Sequence, residues 1–283
     1  MAAASIPEVH YRLAGPAGGG FPGHHRSRSG EGGFEFRRHA ALADAPDARR
    51  LDLHASLRDP FGQWRVRLNS LRQSIPVAVA ADLSASMGFA GVQRRLDVLA
   101  DFTQSIAWSA WRTGDSFAFA GADDTLRRDW LLPATRQRGA GLALAQRLRG
   151  FEPTGRSARG LRDTALVLPQ RRALVFLVSD FHLPLPELRG VLGALSHHAL
   201  VPVLLAQREE AEPAASRGLV ELEDPETGLR RWVWWRPALR ERWRAAGAAR
   251  RAALLQLFAQ ARLAPLVMDG AYDADAVTRY FLA

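Results

Sequence analysis

The sequence predicts an α/β protein built on a doubly wound, mostly parallel sheet with helices on both faces, preceded by an irregular, partly β extension. Three observations carry this expectation. Val77 to Ala81 is an apolar run without helical periodicity, as in a strand covered on both faces. Leu174 to Ser179 repeats the pattern, and both runs are followed by an acid, Asp82 and Asp180. From residue 77 onward strand-like and helix-like segments alternate over roughly 200 residues, the order expected of a parallel sheet.

Taken in order, residues 14–33 are rich in Gly, Pro, Ser, Arg and His and read as irregular, and residues 1–33 as a mobile segment in which His24 and His25 face solvent. Residues 34–75 form an extension with short strands. Within it Arg49 to His54 alternates charge with leucine and reads as a strand with one wet face, and Trp64 to Leu71 alternates likewise. The main domain is expected over residues 76–283. After the first core strand, Leu96, Leu99, Phe102, Ile106 and Ala110 mark a helix over Gln93 to Arg112, closed by Gly114. Ser116 to Ala120 reads as a strand, Leu142 to Leu148 as a helix, and Ala158 to Leu168 as helical. Leu188 to His197 reads as a helix and Val201 to Ala206 as a strand, with Pro202 pointing to a strand start or an edge. Leu219–Glu223 and Leu229–Trp235 form a ribbon turned at Asp224–Gly228. A long helix follows from Pro237 to about Arg262, then a last strand at Leu266–Met268 and a helix over Ala274–Phe281.

Composition removes several function classes. The chain has no cysteine, which excludes disulfide scaffolds, thiolate nucleophiles and zinc ribbons. All 38 basic residues are Arg, so Schiff-base chemistry and the phosphate-binding lysine of P-loops and kinases are excluded as well. The net charge of +9 comes from arginines scattered along the chain, and a solvated basic surface is expected rather than a nucleic-acid interface. No apolar run approaches the roughly 18–20 residues of a membrane span, and the N-terminus lacks a basic start with an apolar core. A cytoplasmic location is the expectation.

Chemistry concentrates where the first core strand ends. Asp82, Ser84 and Ser86 fall in the turn leaving the sheet, and hard, mostly uncharged oxygens of this kind suit a magnesium-type cation. An Asp/Ser turn can equally cap a loop. Further oxygens at other strand ends favour the metal, because doubly wound sheets bind ligands outside the carboxyl ends of their strands. Ser179–Asp180 is one such place, and the Pro153–Ser157 loop, with Thr154 and Ser157, is another.

The spacing Asp82-x-Ser84-x-Ser86 resembles the metal-ion-dependent adhesion site of von Willebrand factor A domains. Together with Asp47–Ser56, Ala81–Gly88, Val178–Phe181 and Gly218–Gly228, it is similar to a bacterial group of von Willebrand factor A-like proteins, domain-of-unknown-function family 58, which includes MxaS-like accessory proteins. The resemblance implies a von Willebrand factor A-like fold and partnership with MoxR-type AAA+ ATPases that mature or activate metalloenzyme complexes such as methanol dehydrogenase. It further implies a divalent cation, Mg2+ first and Mn2+ or Ca2+ next. Ser84 and Ser86 would be direct ligands, Asp82 and Asp180 the acids, and Ser157 or Thr154 the third hydroxyl, where relatives usually carry a threonine. Many relatives also carry transmembrane helices ahead of this region, and none is visible here.

The rival reading is a metal-dependent or serine hydrolase. A nucleophile elbow needs Gly-x-Ser-x-Gly, which neither serine has. His182, His197 and His198 match no catalytic spacing and are expected to be structural or exposed. Trp232, Trp234 and Trp235 are expected to pack under the long helix, with one of the adjacent pair Trp234 and Trp235 able to remain outside.

Overall fold

The computed structural model describes residues 6–12, 22–26, 35–70, 72–208, 218–224 and 226–282. Two compact units divide the chain: Leu13–Ile75, and a larger unit formed by Met1–Arg12 with Pro76–Ala283.

The smaller unit pairs β1 (Pro22–Arg26) with β4 (Arg72–Gln73), and β2 (Glu35–Ala41) with β3 (Arg65–Ser70), both antiparallel. Most of the segment expected to be mobile lies outside the described residues, but Pro22–Arg26 is a strand where an irregular segment was expected. Arg49–His54 is not a strand. Ala48–Arg50 is a 3-10 turn and α1 (Leu53–Leu57) follows it. The reason is capping: Asp47 accepts from Arg49 N and Asp52 from Ala55 N, so each acid satisfies a helix-start donor that a strand would not offer. Asp52 also meets Arg67 Nε at 2.6 Å and His39 Nε2 at 3.0 Å; the bond from Ala55 N first, then those with Arg67 and His39, hold its carboxyl well below the usual carboxylate range.

In the larger unit β5 (Pro76–Asp82), β6 (Ser116–Ala122), β7 (Leu126–Thr135), β8 (Leu174–Ser179), β9 (Ala199–Ala206) and β12 (Leu266–Asp269) form one sheet in the order β12-β9-β8-β5-β6-β7. Every pairing is parallel except that of β7 with β6. The chain runs outward from β5 through β6 and β7, then returns to β8 on the other side of β5. The carboxyl ends of β5 and β8 therefore flank the topological switch point, where a doubly wound sheet opens a crevice.

Helices cover both faces, as expected. On one face Ala78, Ala80, Val175 and Leu177 lie in a core shared with the 3-10 segment Arg159–Leu166, α4 (Leu185–Ala194) and the second half of α5 (Pro237–Gln260). Alternation along β8 sends Phe176 to the opposite face, where it meets Phe102 of α2 (Arg95–Arg112) at 5.2 Å and Phe281 of α6 (Ala274–Leu282) at 6.0 Å. α3 (Ala140–Arg149) packs against α2. Each large apolar side chain buried this way contributes about 1.5–3 kcal/mol of transfer free energy. Residues 6–12 belong to this unit as well. Tyr11 is buried and donates to Asp115 Oδ2 at 2.7 Å, just past the end of α2.

Several boundaries differ from the sequence reading for local reasons. The turn after α2 is made by Thr113 at the cap and Gly114 at φ 73°, a left-handed position that glycine adopts without strain. Residues 159–166 are helical, as expected, and wind as 3-10. α4 starts earlier than expected, with Pro186 in its first turn, and ends at Ala194. Pro202 sits neither at a strand start nor on an edge strand, since β9 runs from Ala199 and lies between β8 and β12. It is tolerated because pairing with β12 begins only at Val203, so among the described residues one side of β9 has no neighbouring strand at Pro202. β7 was not anticipated, and its mixed sequence suits its place, since Arg127, Arg128, Asp129 and Pro133 are the residues that protect an edge.

The ribbon is present, with β10 (Gly218–Glu223) antiparallel to β11 (Arg230–Trp235). Its register places Gly218, Val220, Val233 and Trp235 on one face and Leu219, Glu221, Trp232 and Trp234 on the other. Trp235 is fully buried against Trp243 of α5, whereas Trp232 and Trp234 are 64% and 60% exposed. Core packing thus holds for one tryptophan of the three. Among the described residues no helix is long and apolar enough to cross a membrane.

Candidate metal centre

The centre is built at the carboxyl end of β5. All seven residues of this strand are buried, so Asp82 arrives at the switch point inside the protein. The chain then turns through a 3-10 segment, Ala85–Gly88, which folds Ser84 and Ser86 back over it. Asp82 Oδ1 accepts from Ser84 N at 2.9 Å and from Ser84 Oγ at 2.7 Å, and Ser84 Oγ lies 3.2 Å from Ser86 Oγ. The other carboxylate oxygen accepts from Ser179 Oγ of β8 at 2.6 Å. Ser179 Oγ in turn accepts from Phe181 N at 2.8 Å, tying the two strand ends together. Ser179 is the contributor that the sequence reading passed over in favour of its neighbour.

Asp180 is buried and faces a partner absent from that reading. Arg95, 1% exposed at the start of α2, meets Asp180 Oδ2 at 3.1 Å and donates to Ser86 O at 3.0 Å. Its guanidinium also lies 5.1 Å from the Phe89 ring centre. Burial, and then the charge of Asp180, push Asp82 up to about 7, against the hydrogen bonds from Ser179 and Ser84.

The Pro153–Ser157 loop reaches the centre through its backbone. Gly155 bridges Ser84, and Ala85 N donates to Gly155 O at 2.8 Å. This approach needs glycine: a Cβ on Gly155 would stand 2.3 Å from Asp123 Cβ. Neither candidate for the third hydroxyl is hydrogen-bonded to Asp82. Ser157 Oγ donates to Asp124 Oδ1 at 2.9 Å, and Thr154 is exposed. Asp124 also accepts from Arg156 N at 2.8 Å, and that bond leads the causes that lower its carboxyl.

The donor set fits a hard cation. Two hydroxyls and a carboxylate meet in a buried cluster of oxygens, and Asp82 is held there at a cost that a nearby positive charge relieves. Among the described residues no three His, Asp or Glu side chains group as a metal site, so a cation here depends on the serine hydroxyls. Ser84 and Ser86 would hold it, with Asp82 as the adjoining acid.

The loop after Asp180 is clamped from α5. Phe181 has φ 54°, a left-handed backbone that is strained for a bulky residue, and its ring packs on Phe258 at 5.2 Å. Arg250 Nη2 donates to Phe181 O at 2.9 Å and to Leu183 O. The expected solvated basic surface therefore has an exception at Arg250. Arg250→Ala is expected to cost about 1.5–3 kcal/mol, read from the urea midpoint, while Arg251→Ala, exposed on the same helix, stays within about 0.5 kcal/mol.

Of the histidines, His198 is buried with Nδ1 accepting from Ala173 N at 3.2 Å, and burial followed by the charge of His197 lowers it to about 4. It is a neutral structural group. His182 is exposed, and its backbone N donates to Asp180 Oδ1.

With this geometry in view, comparison with known proteins places the chain. A 103-residue stretch is 42% identical to the "Uncharacterized protein in moxR 3'region" of Paracoccus denitrificans, covering 35% of this chain and 94% of that one. Among solved structures, the conserved hypothetical protein BatB from Bacteroides thetaiotaomicron aligns at 10% identity over 74% of this chain and 96% of its own, with a TM-score of 0.42. The pilus adhesin SpaC from Lactobacillus rhamnosus GG aligns at 12% identity over 74% of this chain and 29% of its own, also at 0.42. The model of the family described as "Protein of unknown function DUF58" matches residues 44–253, which is most of the sequence, and the chain belongs to that family.

Proposed function

We propose that this chain is a non-catalytic, metal-dependent protein-binding module, an adaptor for a MoxR-type AAA+ ATPase in the maturation or activation of an enzyme complex such as methanol dehydrogenase. The observation that carries the reading is the buried cluster of Asp82, Ser84 and Ser86 at the switch point, rich in hydroxyls and poor in carboxylates. The relative found in a moxR 3' region supports the choice of ATPase.

A magnesium ion bound here, with manganese or calcium as substitutes, supplies an electrophilic position for a carboxylate of the partner. The protein's own groups prepare that position. Ser84 and Ser86 present oxygens without adding charge, Ser179 fixes the Asp82 carboxylate, and Asp180 adds the second acid. The Gly155 bridge brings the loop of Thr154 and Ser157, either of which supplies the third hydroxyl, alongside Ser84. Ser84 Oγ donates to Asp82 Oδ1, which holds the hydroxyl oxygen in place beside Ser86.

Calorimetry between the chain and a MoxR-type ATPase, in magnesium and in chelator, tests the proposal. At least about tenfold tighter binding with the metal is expected, because the partner carboxylate otherwise meets two buried acids. Equal affinity in both conditions contradicts it.

A further inference from the structure

Arg95, paired with Asp180 in a buried salt bridge, sets a guanidinium inside the centre. Its placement is fixed by several contacts: Asp180 Oδ2 at 3.1 Å, Ser86 O at 3.0 Å, and the ring of Phe89 beneath. Arg95 N also donates to Phe89 O, so the side chain springs from a backbone anchored to the same turn that carries Ser84 and Ser86.

The charges at the centre then decide what it binds. Asp82 and Asp180, when ionised, contribute two negative charges and Arg95 one positive. A divalent cation would take the buried cluster to a net single positive charge, and a carboxylate bound beside the cation would return it to zero. Uncompensated buried charge is strongly disfavoured. We infer that Arg95 is a resident cation that makes the centre bind its metal together with an anionic ligand rather than alone. This rests on the metal reading proposed above. Arg95 is a positioning residue, acting through Asp180 and through its field.

Manganese titration of the full chain, followed calorimetrically with chloride or with saturating acetate as the anion, tests it. Wild-type protein is expected to bind manganese at least about tenfold more tightly with acetate, which stands for the partner's carboxylate. Arg95→Met is expected to bind manganese at least about tenfold more tightly than wild type in chloride, and to lose the acetate effect. Arg95→Lys, which keeps the charge, is expected to restore it. A merely structural Arg95 would give weaker manganese binding in both variants. Should Arg95→Met not fold, Arg95→Gln, which keeps a hydrogen-bond donor and drops the charge, takes its place in the same titration. Wild-type affinity indifferent to acetate, or folded Arg95→Met with wild-type affinity, overturns this inference and leaves the metal centre standing. Failure of every form to bind manganese overturns the metal reading, and this inference with it.

Discussion

Asp82→Asn is expected to lower divalent-cation affinity at least about 100-fold while leaving the apo protein folded and, above neutral pH, more stable than wild type. The loss follows because Asp82 is the carboxylate bonded directly to Ser84, whose hydroxyl lies beside that of Ser86. Asparagine keeps an acceptor for Ser84 and sets an amide N–H towards Ser179 Oγ, so the bonds that shape the turn persist. The stability gain follows from burial. Asp82 titrates near 7 in the folded chain against a usual value of 3.8, so between these limits the folded state holds a proton that the unfolded state has released. Stability from this group is full below about 4, falls as pH rises, and is lost above about 7, where ionising the buried acid costs on the order of a few kcal/mol. The substitution removes that cost. In chelator, the difference in urea midpoint between Asp82→Asn and wild type should grow from pH 4 to 7 and then level off. A difference independent of pH would mean that Asp82 is not held neutral by burial.

Trp235→Ala is expected to destabilise the larger unit by about 3–5 kcal/mol, whereas Trp234→Ala and Trp232→Ala should change it by less than about 0.5 kcal/mol. The contrast between neighbours follows from strand alternation. Trp235 faces inward, fully buried against Trp243, and its removal leaves a cavity between the ribbon and α5. Trp234, one residue earlier, faces outward opposite Leu219. Chemical denaturation of the three variants gives the answer, and similar losses for Trp234 and Trp235 would contradict the register.

The parts of the fold legible in the sequence are those whose burial leaves a periodic mark. Val77–Ala81 and Leu174–Ser179 announce strands covered on both faces, and Leu96 to Ala110 repeat with helical spacing because one side of α2 faces the sheet. Arg49–His54 shows the limit of that signal, since alternation also arises where acids cap two short turns in succession. β7 was hidden for a related reason: an edge strand carrying charges and a proline does not look apolar. At the candidate site, Asp82, Ser84 and Ser86 were legible because the turn that gathers them is local. Ser179 is bonded to Asp82 across 97 positions of sequence, and Arg95 to Asp180 across 85. No local pattern marks either pairing. Arg95 in particular reads as one more arginine among 38 until the fold buries it. Arg250, which donates from α5 to the loop after Asp180, was equally silent.

Anomalous diffraction from crystals of the full chain grown with manganese tests most directly the claim that the end of β5 is a metal centre. The account predicts a single strong peak at the switch point, within about 2.5 Å of both Ser84 Oγ and Ser86 Oγ and absent from Asp82→Asn. A peak elsewhere, or none at manganese concentrations that saturate calorimetric binding, would contradict it.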